Sequence, residues 1–169
     1  GGVPAARPGR EVVDQINKEF VPYVKALLVG SPVDFPNKDN IRHHVYSFSP
    51  AKTFELPLYM GTPARPVMFD RPGVVTIGCN IHDWMIGHIY VAESPYVGTT
   101  GRQGRVKLEN VPPGVYAVRV WHPNMDASEA STNRSVTVDA GAVEVAWQLT
   151  LTPELVPRRA PVPGQRGYR

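Results

Sequence analysis

Breakers of regular structure are the feature that most constrains how this chain folds. Its 169 residues include 18 prolines and 15 glycines, about a fifth of the total. Proline removes a backbone donor that a helix needs, and both residues favour turns. Long helices are therefore excluded, and short strands joined by turns are expected. We predict an all-β protein.

The apolar pattern between these breakers predicts two series of short strands. Alternation is clearest over residues 115–121, where successive side chains fall on opposite faces. Nothing between the strands resembles a crossover helix, which favours a sandwich over a doubly wound sheet. The stretch 11–19 is alternatively interpreted as a helical turn. The predicted strands cover residues 20–23, 26–28, 33–35, 45–48, 53–58, 67–69, 74–77 and 88–92, then 106–108, 115–121, 135–138 and 143–150.

Charge and hydropathy argue against two classes of partner. Residues 1–152 hold 14 Lys or Arg and 14 Asp or Glu, so the net charge of +3 comes from residues 153–169. A body without net charge makes nucleic-acid binding unattractive. The longest apolar candidate, residues 24–33, is interrupted by Lys25 and Pro32 and is shorter than the roughly 18 residues of a membrane helix. We therefore expect no nucleic acid and no membrane span.

Metal-ligating side chains follow one of the predicted strands at regular spacing. Cys79, His82 and Met85 supply a thiolate, an imidazole and a thioether at intervals of three residues. This is a soft donor set that copper prefers, whereas zinc has little use for a neutral thioether. The one cysteine also excludes an intrachain disulfide and clusters that need several thiolates. Taken alone, Cys79 is more often a small core residue than a ligand.

A blue-copper arrangement requires a second histidine beside the thiolate. Two are available upstream, where His43 and His44 stand at the entrance to the predicted strand 45–48. From the residues alone, either imidazole could complete a site with Cys79 and His82.

Several short motifs together resemble the cupredoxin, or blue copper, family over residues 13–92. The spacing C-x₂-H-x₂-M resembles the short ligand loop of amicyanins. The matching elements, in order, are Phe20-Val21-Pro22, residues 29–39 (VGSPVDFPNKD), His43, residues 69–73 (FDRPG), Cys79, His82, Met85 and Gly87.

The resemblance implies a Greek-key β-sandwich holding one copper ion that cycles between Cu(II) and Cu(I). The implied metal ligands are His43, Cys79, His82 and Met85. By register His43 is the upstream ligand, and His44 stands where the family has an asparagine that ties the two ligand loops together. The alternative that His44 replaces His43 as a ligand stays open.

The second half of the chain resembles another β family. Residues 99–116 (TTGRQGRVKLENVPPGVY) are similar to the carboxypeptidase-regulatory, transthyretin-like β-sandwich. We therefore predict a flexible N-terminus over 1–10, a cupredoxin-like copper domain over 11–92, a smaller β-sandwich module over 93–152 and an Arg/Pro-rich tail over 153–169.

These resemblances imply a function in one-electron transfer rather than catalysis. The expected partners are redox proteins such as a c-type cytochrome or a dehydrogenase, docked with help from the C-terminal module or the Arg-rich tail. A periplasmic location is expected from the resemblance alone, because residues 1–10 have no signal-peptide character that would indicate it directly. The alternatives are a copper-binding module for trafficking or sensing, and a structural or assembly β-protein with a bound metal.

Overall fold

Strands dominate the computed structural model, which describes residues 8–153. Within this range there is one short 3₁₀ helix, Glu129–Thr132, and no α-helix, so the all-β prediction is confirmed. No helix among the described residues has the length and apolar character needed to cross a membrane. The strands are β1 Glu11–Val12, β2 Asp14–Ile16, β3 Glu19–Val21, β4 Val24–Leu28, β5 Ser31–Asp34, β6 His43–Ser49, β7 Lys52–Tyr59, β8 Val67–Phe69, β9 Gly73–Cys79, β10 His82–Ala92, β11 Gly114–Val118 and β12 Arg134–Val138.

The described chain forms two compact units that divide between Lys107 and Leu108. Residues 93–107 group with the first unit, where the Thr99 hydroxyl accepts a hydrogen bond from the Ala26 amide. The predicted tail lies outside the described residues, apart from Pro153.

The first unit is a β-sandwich built from two sheets. One sheet has five strands in the order β4-β10-β9-β6-β7, and the other has three in the order β1-β5-β8. Strands β10 and β4 run parallel, whereas the pairs β10–β9, β9–β6 and β6–β7 are antiparallel. A separate hairpin joins β2 and β3. Both sheets contribute buried side chains to one apolar core, for example Val33 and Phe69 from one and Ile77 and Ile89 from the other.

Side-chain alternation decides which residues of the central strands face the core. In β9, Val75, Ile77 and Cys79 are buried, while Thr76 between them is exposed. The period of two in a strand sends every second side chain to the same face. The thiol of Cys79 therefore lies at the end of a row of core residues.

The stretch 11–19 is not a helical turn, so that alternative interpretation is wrong. It forms β1, β2 and the start of β3, with Val13 and Gln15 buried between exposed or half-buried neighbours. The turn residues Asn17 and Lys18 have φ values of 55° and 60°. Such a pair of left-handed residues suits a tight two-residue hairpin and interrupts a helix.

In the second unit, β11 and β12 form a two-stranded antiparallel sheet. Residues 143–150 form no strand in the described structure, although the apolar pattern predicted one there. The predicted strand 106–108 does not form either. The Trp147 indole instead donates to the Thr132 carbonyl, and the Arg134 guanidinium donates to the Ala146 carbonyl. The predicted second β-sandwich is therefore not confirmed.

Candidate metal centre

Cys79 and His82 face each other across the tight turn that closes the β9–β10 hairpin. Cys79 ends β9, His82 begins β10, and the two pair across a turn made of Asn80 and Ile81. The two intervening residues of the C-x₂-H motif are therefore those of a hairpin loop. Cys79 is 4% exposed, whereas His82 is partly exposed. The hairpin places a buried thiol and a more accessible imidazole side by side.

His43 reaches the same point from the neighbouring strand. It is the first residue of β6, which pairs with β9 through Tyr46 and Gly78. The His43 side chain is fully buried. Sheet pairing therefore brings together two residues that lie 36 positions apart in the sequence.

Three donor atoms converge where these strands end. The Cys79 Sγ lies 3.9 Å from the His43 Nδ1 and 3.7 Å from the His82 Nδ1. One ligand atom from each of the three residues lies within 4.8 Å of the others. The two imidazole rings meet edge to face, with centroids 5.0 Å apart.

These separations fit a shared ion. Metal–sulfur and metal–nitrogen bonds of about 2.3 and 2.1 Å meeting at about 110–130° span roughly 3.6–4.0 Å between sulfur and nitrogen. Both measured distances from Cys79 lie in that range. One thiol and two imidazole nitrogens are also the donor set on which a trigonal copper site is built. The spacing therefore fits a bound metal ion, and the donor chemistry suits copper.

Met85 lies within an irregular segment of the hairpin. His82 pairs with Cys79 and Ile86 with Gly78, so residues 83–85 of β10 have no partners opposite them on β9. This is a bulge, which re-aims the side chains that it contains. Met85 is 1% exposed and belongs to the same apolar cluster as Cys79.

His44 points to the other side of β6. Its Nε2 lies 2.9 Å from a carboxylate oxygen of Glu55, without hydrogen-bonding geometry. Its ring also packs edge-on against Tyr46. In the described part of the chain the cluster of possible ligands contains His43 and not His44.

Asp39 is a site residue to which sequence analysis gave no role. Its Oδ2 lies 2.7 Å from the His43 Nε2, the ring nitrogen that faces away from Cys79. Burial alone would raise the pKa of Asp39, but the bonds from the Lys18 amide, His43 and the Asn17 amide lower it. The available signal was a carboxylate four residues before a candidate ligand.

The surroundings of His82 also shift the pKa of its imidazole. Burial lowers the pKa of His82, and the charges of His43 and Lys18 lower it further, against the opposing effect of Asp39. A lowered pKa keeps the imidazole neutral, and the neutral form is the one that binds a metal.

Comparison with solved structures finds copper proteins. A Cu-containing nitrite reductase from Thermus scotoductus is 26% identical, with a TM-score of 0.47 over 56% of this chain and 25% of its own. A purple cupredoxin from Nitrosopumilus maritimus is 21% identical, with a TM-score of 0.42 over 49% of this chain and 99% of its own. A reduced single-site variant of amicyanin is 19% identical, with a TM-score of 0.45 over 54% of this chain and 97% of its own.

Other comparisons give no match. No protein-family model matches the chain, and a search of curated proteins finds no relative. The chain spans about a quarter of the nitrite reductase chain that it resembles. The chemistry of the site therefore rests on the geometry of His43, Cys79 and His82.

Proposed function

We propose that this protein holds one copper ion and carries single electrons between protein partners. The proposed ligands are His43, Cys79, His82 and Met85. The observation that carries the proposal is the approach of two imidazole Nδ1 atoms to within 3.7 and 3.9 Å of one buried thiol. Copper bound there would supply a Cu(II)/Cu(I) couple.

The surroundings of the donors suit electron transfer with little rearrangement. Two donors, Cys79 and His43, are buried and sit on adjacent strands of one sheet. Packed interiors resist movement, so ligands held in this way keep their positions when the charge on the metal changes. Met85 is buried in the same cluster and supplies the proposed axial thioether.

One edge of the site is open enough for a partner to approach. His82 is partly exposed, and Ile81 beside it is 48% exposed. The Trp84 ring lies 5.2 Å from the His82 ring and is partly buried. We propose that His82 is the ligand through which electrons enter and leave, with Ile81 and Trp84 contributing an apolar docking surface.

The proposed partners are a c-type cytochrome or a dehydrogenase, met in the periplasm. Docking through the C-terminal module or the Arg-rich tail is part of this proposal. We propose an electron carrier rather than an enzyme, with copper trafficking or a structural metal as the alternatives.

Reconstitution with Cu(II) tests the proposal directly. We expect an intense visible band from the Cys79 thiolate, together with a reversible one-electron wave in voltammetry. Cys79→Ser should abolish the band while the metal-free variant stays folded by circular dichroism. A colourless protein that holds only Cu(I), or that prefers zinc, would support the trafficking or structural alternative instead.

Two adjacent variants test the ligand assignment. His43→Ala should lose the visible band, because it removes a nitrogen that lies 3.9 Å from the thiol sulfur. His44→Ala should keep the band, because the His44 ring faces Glu55 and Tyr46. The reverse result would show that His44 is the ligand.

A further inference from the structure

The His43 ring is held at both of its nitrogens. Nδ1 faces the Cys79 sulfur at 3.9 Å, and Nε2 lies 2.7 Å from the Asp39 Oδ2. The His43 side chain has no exposure to solvent, and that of Asp39 is 13% exposed. Because a carboxylate is an acceptor only, the Asp39 contact requires a proton on Nε2, and in the neutral, metal-binding form of the ring the lone pair is then on Nδ1.

The same carboxylate also holds a turn from another part of the chain. The Asn17 amide donates to Oδ1 of Asp39 at 2.6 Å, and the Lys18 amide donates to Oδ2 at 2.8 Å. These two residues form the left-handed turn between β2 and β3. Asp39 itself is fixed by its amide, which donates to the Asn37 side chain.

The same turn also contacts the segment that carries His82. The Trp84 indole donates to the Lys18 carbonyl at 3.2 Å. The Trp84 ring in turn packs against His82, with ring centroids 5.2 Å apart. A continuous set of contacts thus joins Asp39, the turn at Lys18 and the bulge that follows His82.

We propose that Asp39 is a positioning residue for the metal centre: it fixes the orientation and tautomer of His43 and, through the Asn17–Lys18 turn, links the two ligand segments. The inference rests on the proposed copper site. A carboxylate behind a ligating imidazole raises the basicity of that ligand, and removing such a partner lowers metal affinity by about 10–100-fold. The effect is larger for Cu(II) than for Cu(I), because the higher charge gains more from a nearby anion.

The decisive variant is Asp39→Asn, which keeps the size of the side chain and removes the charge. We expect its Cu(II) affinity to fall about tenfold or more relative to its Cu(I) affinity, measured by competition titration of each ion. For a one-electron couple, each tenfold fall in the ratio of Cu(II) to Cu(I) affinity raises the reduction potential by about 59 mV, which voltammetry measures independently.

Asp34→Asn is the matched control. Asp34 is also a largely buried, ion-paired carboxylate, with Arg10 as its partner, on β5 of the other sheet. The Asp34→Asn substitution should leave the ratio of Cu(II) to Cu(I) affinity within twofold of the wild-type value. An Asp39→Asn variant that behaves like Asp34→Asn would overturn the positioning role, although the copper site itself would stand. A wild-type protein that binds no copper would instead overturn the proposed function.

A measurement without metal keeps the inference testable if Asp39→Asn fails to fold. Long-range ¹H–¹⁵N NMR of the metal-free wild-type protein reports which nitrogen of His43 carries the proton. We expect the proton on Nε2. A proton on Nδ1 alone would show that Asp39 does not set the state of this ring.

Discussion

Gly87 lies where the strand that carries His82 and Met85 packs against the rest of the core, and replacing it with alanine should destabilise the fold measurably. Gly87 is buried on β10 and pairs with Ile77 on β9. An added methyl group would lie 3.0 Å from the Phe20 Cβ and 3.3 Å from two atoms of the Ile77 side chain. Carbon atoms pack best at about 3.5–4.0 Å, so Gly87→Ala creates an overpacked site.

The magnitude follows from two opposing effects. Overpacking a well-packed core costs typically about 1–3 kcal/mol. Replacing glycine with alanine lowers the entropy of the unfolded chain and recovers about 0.4–1 kcal/mol. The Phe20 Cβ cannot rotate away, because a Cβ moves only with its backbone, and both Phe20 and Ile77 are buried. We therefore expect a net loss of about 1–2 kcal/mol, or about 5–15 °C in Tm for a unit of this size.

Urea denaturation of the metal-free protein, followed by circular dichroism, measures this loss. Gly101→Ala is the control in the same unit, because its new methyl group would lie 3.9 Å from the nearest atom, the Arg105 carbonyl oxygen. That variant should stay within about 0.5 kcal/mol of the wild type. Equal stability of the Gly87→Ala and Gly101→Ala variants would refute the packing argument.

Two further predictions concern pH and the aromatic residues. The pKa of His82 is lowered from 6.5 in the folded protein, so the unfolded chain binds more protons below that pH and stability should fall as the pH drops through it. Urea midpoints of the metal-free protein at pH 7.5 and 5.5 measure this, and His82→Gln should reduce the difference; an unchanged difference would contradict it. Phe35 is 1% exposed and packs between Phe54 and Phe69, so Phe35→Ala should lose about 3–5 kcal/mol of stability. Phe48 is 81% exposed, and Phe48→Ala should change stability by less than about 0.5 kcal/mol in the same assay, whereas equal losses would contradict the assignment of the core.

Local features of the centre could be predicted from sequence because their geometry depends on neighbours along the chain. Prolines and glycines predicted strands joined by turns, and within the described residues these strands formed except over 106–108 and 143–150. The spacing of Cys79 and His82 matches a hairpin turn, and their donor atoms lie 3.7 Å apart. A turn of two residues admits few conformations, so the residues on either side of it are brought together wherever the hairpin lies.

Long-range pairing decided which histidine lies beside the thiol. His43 and His44 are adjacent in the sequence and equally capable of binding a metal. They project to opposite faces of β6, so the register of that strand places His43 toward Cys79 and His44 toward Glu55. A shift of one residue would exchange them, because side chains alternate with a period of two.

The role of Asp39 and the structure of residues 143–150 also depended on distant segments. Asp39 accepts bonds from Asn17 and Lys18, more than 20 residues away, and no local pattern marks that contact. Residues 143–150 alternate as a strand does, yet they form no strand in the described structure, where Ala146 accepts a bond from Arg134 and Trp147 donates one to Thr132. The sequence by itself determined the all-β class and the spacing of Cys79 and His82 in a turn after a strand, while the structure shows that β9 and β10 flank that turn directly. Only the tertiary structure decided which groups surround them, because a strand needs a partner and a buried charge needs donors that the chain supplies from elsewhere.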